Sequence, residues 1–79
     1  MTNKIEKVWF DETRIFIELT DKTVIGAPVA WYPHLRKGTH EQLNQYEIWS
    51  EGTWLHWEEL DEDLSLDGFL QLIYKKATA

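Results

Sequence analysis

Seventy-nine residues, no cysteine and a formal net charge of −6 confine the chain to one small domain over residues 1–79. They exclude a disulfide framework, a thiolate metal site and a cysteine nucleophile. The longest apolar run is far below the ~20 residues that span a bilayer, and no apolar run follows Lys4 and Lys7 as a signal peptide requires. A cytoplasmic protein with an ordered core over about residues 5–74 is therefore expected. The charge is uneven. Residues 1–37 hold six Lys/Arg and five Asp/Glu, whereas residues 38–74 hold nine Asp/Glu and no Lys or Arg. An acidic face repels phosphate backbones, so direct nucleic-acid binding is not expected. A basic protein surface suits it better, and simple solvation is its plainest role.

Residues 5–10 form a short apolar-rich run that ends at Asp11-Glu12-Thr13. In Arg14-Ile15-Phe16-Ile17-Glu18-Leu19, Ile15, Ile17 and Leu19 alternate with the other three residues, the period of a half-buried strand. Residues 23–28 form a third β-prone run, so the first third predicts an antiparallel meander. The turn at residues 20–24 lacks the usual glycine, which predicts a positive φ at Asp21 or Lys22. Pro28 stops the third strand. A short helix is expected over about residues 29–37, kinked or restarted at Pro33, with Gly38 after its end and Arg36 and Lys37 in its last turn. Thr39-His40-Glu41-Gln42 fits a capping box and opens a second short helix with Leu43 inward. Residues 46–50 and 53–57 predict a hairpin closed at Ser50-Glu51-Gly52. Residues 58–63 read as a polar linker. Ser65 is the expected cap of a last helix, with Phe69, Leu70 and Ile73 on its apolar stripe; residues 77–79 are expected to fray. The fold class is α+β: a three-stranded meander, two short helices, a second β-hairpin and a C-terminal helix packed on the sheet.

No constellation carries catalysis. Asp63, Ser65, Asp67 and Gly68 match the first half of a calcium loop, but its twelfth position is Tyr74 rather than a bidentate Glu, so no calcium is expected. His34, His40 and His56 make no ligand pair. His56 and Glu58 share a strand face, and His56, set among tryptophans, is the histidine to watch for a perturbed pKa. The carboxylates of residues 58–63 are adjacent in sequence and repel one another, which keeps them in water and away from acid–base work. The four glycines are isolated, so there is no phosphate loop. No metal, no cofactor and no enzymatic activity are expected. Five tryptophans exceed what so small a core needs; two or three are expected inside and one or two at the surface as interface anchors.

Lys7-Val8-Trp9-Phe10-Asp11, Pro28-Val29-Ala30-Trp31-Tyr32-Pro33-His34-Leu35, Gln45-Tyr46-Glu47-Ile48 and His56-Trp57-Glu58-Glu59-Leu60-Asp61-Glu62-Asp63-Leu64-Ser65 together resemble the small bacterial family named domain of unknown function 2442, across nearly the whole chain. The resemblance implies an α+β fold without established enzymatic activity. It also implies a member of a two-protein system, encoded beside another small protein in an arrangement suggesting toxin and antitoxin. Some longer relatives carry a helix-turn-helix after this module; these residues contain none, so operator binding is not expected. The resulting expectation is an antitoxin-like module that binds a small, basic protein stoichiometrically, through Trp31, His56, Trp57, Glu58, Glu59 and Glu62. A homodimer is left open. The alternative is a small-ligand or metal sensor with an aromatic pocket around Trp31, His56 and Trp57.

Overall fold

A computed structural model describes residues 3–77. β1 (Ile5–Phe10), β2 (Arg14–Leu19) and β3 (Val24–Pro28) form an antiparallel sheet in that order. The alternation of β2 works as expected: Ile15, Ile17 and Leu19 are buried, with Ile17 opposite Val8 and Ile25. Both turns are closed by carboxylates. Asp11 Oδ1 accepts the backbone N–H groups of Thr13 and Arg14 at 2.9 and 2.7 Å, and Asp21 Oδ1 accepts that of Thr23 at 2.9 Å. These donors stabilise the charged form and hold both carboxyls below their ordinary pKa. The positive φ falls on Lys22, at 76°. Its ammonium donates to Glu6 at 2.8 Å.

The next segment is divided by proline chemistry. Val29–Trp31 makes a 3-10 turn, Tyr32 is extended (φ −120°, ψ 95°), and α1 (Pro33–Arg36) starts at the second proline. A residue before proline is excluded from helical geometry, which is why the helix restarts there. Gly38 follows α1 because space is short: a Cβ there would lie 2.8 Å from Leu60 Cδ1. α2 (His40–Leu43) carries the expected capping box, with Thr39 and Gln42 bonding each other reciprocally and Leu43 buried.

β4 (Tyr46–Trp49) and β5 (Trp54–Trp57) form the expected hairpin. The linker expected over residues 58–63 is corrected: β6 (Glu62–Ser65) occupies its end and pairs antiparallel with β5, making a second three-stranded sheet in the order β4-β5-β6. Its one apolar residue, Leu64, lies opposite Leu55, so pairing rather than propensity makes it a strand. The hairpin turn before it is tight, with Asp61 at φ 51°.

β6 runs directly into α3 (Leu66–Ala77). Ser65 caps it as expected, its Oγ accepting the Gly68 N–H at 2.9 Å. The N–H of Leu66 donates to Thr53 O at 2.8 Å, tying the helix start to the β4–β5 connection. Leu66 and Phe69 turn inward, and the Phe69 ring stacks on Tyr32 at 5.9 Å. The two sheets and α3 close on one cluster that joins Ile15, Ile17 and Leu35 to Leu55, Trp57 and Phe69. Of residues 77–79, expected to fray, Ala77 is the last residue of α3, and residues 78–79 lie outside the described residues.

Candidate functional site

Period-two alternation sorts β5 into two faces. Leu55 and Trp57 turn into the core; Trp54 and His56 turn out. Residues directly opposite share a face, so Trp49 and Ser65 join Trp54, while Glu47 and Asp63 join His56. The outer face of the second sheet is thus a row of Trp49, Trp54 and Ser65 beside a row of Glu47, His56 and Asp63.

The residues on this face hold one another. The His56 ring lies on the Trp49 ring, centroids 4.0 Å apart and planes 17° from parallel. His56 Nδ1 is 2.5 Å from Asp63 Oδ1, and Nε2 is 3.4 Å from Glu58 Oε1. Trp49 Nε1 donates to Glu47 Oε1 at 3.1 Å. The Asp63 hydrogen bond raises the His56 pKa against the opposing effect of desolvation, and Glu58 adds to the rise. Both ring nitrogens are engaged by carboxylates, so the ring is suited to carrying a fixed positive charge rather than to abstracting a proton. Among the described residues, no group of three or more His, Asp or Glu side chains is arranged to hold a metal ion. At one end of the face, Asn3, Thr53, Trp54, Ser65, Leu66 and Asp67 line an open depression of about 350 Å³.

The residues expected at the site are only partly brought together. His56 and Glu58 are adjacent on the outer face. Trp57 is corrected from surface anchor to core: it is 1% exposed, its Nε1 donates to Leu43 O at 2.9 Å, and Phe10 packs on it at an angle. Trp31 is half-buried under the Lys76 ammonium. Glu59 is turned toward α2, where it accepts from Gln42 at 3.1 Å. Glu62 lies opposite Trp57 on the inner row, and its charge assists burial in pushing the Tyr32 phenol up to about 12. Trp31, His56 and Trp57 therefore line no common pocket. The exposed tryptophans are Trp9, Trp49 and Trp54, at 36%, 45% and 42%, so more of them lie outside than composition suggests. Glu47, Trp49, Trp54 and Asp63 lie on the outer face but are not among the binding residues expected from the sequence. Parity along β5 was the available signal, since Leu55 puts Trp57 inside and leaves Trp54 with His56 outside.

This arrangement defines a class: a small α+β protein of two antiparallel sheets, with an acidic, tryptophan-bearing outer face on the second sheet. The family described as "Protein of unknown function (DUF2442)" matches residues 5–75, and the chain belongs to that family. A crystal structure of a protein of unknown function from Rhodospirillum rubrum is similar, with a TM-score of 0.79 and 30% sequence identity over 90% of this chain and 88% of that one. No curated protein matches. No helix among the described residues is long and apolar enough to cross a membrane.

Proposed function

We propose that the chain is a non-catalytic protein-binding module, the acidic, antitoxin-like half of a cytoplasmic pair, which docks a small basic protein on the outer face of its second sheet. The observation that carries this reading is the pairing of exposed Trp49 and Trp54 with Glu47, Glu58 and Asp63, in a stretch, residues 38–74, without Lys or Arg. Half-exposed indoles supply large rigid anchors. The surrounding carboxylates steer a basic partner and set its orientation. In the two rows of this face His56 is the one basic side chain, and Asp63 and Glu58 engage it.

The test is co-purification of the tagged chain from its native cell at low salt, followed by reconstitution with the protein recovered. A one-to-one complex is expected that weakens steeply with salt, associates more slowly after charge reversal at Glu47 and Glu58, and is lost in Trp49→Ala and Trp54→Ala. A complex indifferent to salt and to both tryptophans would refute the proposal. Nothing retained, together with a ligand-induced rise in melting temperature, would move the function to the depression beside Trp54.

A further inference from the structure

The edges of the two sheets are unequal. A free edge strand invites pairing with another chain, and folded proteins blunt such edges with lysine, proline, a bulge or a covering element. β1 carries Lys7 and a register shift between Ile5 and Lys7. β3 ends in Pro28. β6 is four residues long and passes straight into α3. β4, Tyr46-Glu47-Ile48-Trp49, is as short as β6 but has no lysine, no proline and no register shift in its pairing. Among the described residues its backbone bonds only to β5. Ile48 is the telling side chain. It shares a row with Leu55, which is buried, and Leu64, which is half-buried, yet Ile48 is 39% exposed. An inward-facing row reaches the sheet edge and ends without cover.

We propose that β4 pairs with β4 of a second copy, joining two second sheets into one six-stranded antiparallel sheet about a two-fold axis at Ile48. The chemistry of the strand selects both the occupant and the register. With Ile48 opposite Ile48 of the second copy, Glu47 lies opposite the second copy's Trp49, and the reverse holds by symmetry. Carboxylate and indole are already compatible neighbours here, since Trp49 Nε1 donates to Glu47 within the chain. A shift that centres the axis on Glu47 sets two like charges directly opposite, which is destabilising. In the register centred on Ile48 the strand is self-complementary, as an isologous contact requires. The contact is small: four residues from each copy fall short of the ~1,200 Å² of a stable interface. The dissociation constant is expected in the range of about 0.1–1 mM. The acidic docking faces of two copies would become continuous, but the pairing does not depend on what binds there.

Sedimentation and ¹⁵N relaxation of the native chain from about 20 µM to about 1 mM test this directly. The apparent mass is expected to climb from one copy toward two, with slowed amide exchange confined to residues 46–49. Ile48→Lys is expected to hold the chain at one copy throughout, with an unchanged circular dichroism spectrum. Val24→Lys, on an exposed residue at the edge of the first sheet, is expected to leave association intact. A constant one-copy mass up to about 1 mM would overturn the proposal, whatever the variants do. So would protection that appears on β1, β3 or β6 in place of β4. A monomer that still binds a basic partner would overturn this inference and leave the docking proposal standing.

Discussion

The two sheets share a topology, three antiparallel strands in sequence order, and differ in what each face contributes. The first supplies Ile5, Val8, Ile15, Ile17, Leu19 and Ala27 to the core; the second supplies Leu55 and Trp57. On the outside, the first sheet settles its charges, because Lys22 reaches both Glu6 and Glu18, and Trp9 stacks on Phe16 at 5.6 Å. That ring covers Gly26, where a Cβ would lie 2.8 Å from Phe16 Cε1. The second sheet leaves its carboxylates with a histidine and its tryptophans half in water. The same fold element serves as foundation in one half and as presentation surface in the other. The presenting sheet rests on far fewer buried side chains.

If so, the second sheet breaks first and most sharply at Trp57. Trp57→Ala is expected to lower stability by about 3–5 kcal/mol, read from the urea midpoint, whereas Trp54→Ala is expected to cost under about 1 kcal/mol. Equal losses would mean the face assignment of β5 is wrong. Gly52→Ala comes next. Gly52 has φ 92°, and its Cβ would meet Lys4 Cβ at 2.7 Å, where the second sheet's turn presses on the first strand. A loss of about 1–3 kcal/mol is expected, with amide exchange accelerating in β4 and β5 before β1 and β2. Tyr32→Phe works in the opposite direction. The Tyr32 hydroxyl is buried without a hydrogen-bond partner among the described residues, so its removal is expected to be neutral or to stabilise by up to about 1 kcal/mol. A clear destabilisation would show that the hydroxyl has a partner.

The smallest effect sharpens the contrast by pH. His56 has its pKa raised by folding, so its contribution is complete below its ordinary value of 6.5 and is lost as pH rises through the folded value. Asp11, in the first sheet, has its pKa lowered, so its contribution is present above 3.8 and is lost as pH falls through the folded value. Alkali therefore loosens the second sheet and acid the first. In His56→Gln, the fall in urea midpoint as pH rises above the ordinary histidine value of 6.5 is expected to flatten. An unchanged profile would remove His56 as its cause.

What the sequence made legible follows from local chemistry. β2 is marked by alternation, β1 by an apolar-rich run ending in a polar turn, the positive φ at Lys22 by a missing glycine, and α2 and α3 by the side chains of Thr39 and Ser65 that bond their first amides. What escaped depends on partners far along the chain. Glu62-Asp63-Leu64-Ser65 has one apolar residue and two carboxylates, which is poor strand composition; it is a strand because β5 offers it a ladder. The site escaped for a related reason. Trp49, Glu47 and Asp63 lie on different strands from His56, and register alone brings them together. The acidic run points to Glu58, Glu59 and Glu62, whereas the β5–β6 turn and the pairing of β6 send those three side chains to different surroundings.

Ser65 belongs to two structures at once. It is the last rung of β6, opposite Trp54, and its hydroxyl holds the first turn of α3. No slack residue separates the strand from the helix. The second sheet and the helix therefore share one joint at Ser65, braced where Leu66 bonds to Thr53. A change at Ser65 therefore acts on the end of β6 and on the first turn of α3 together.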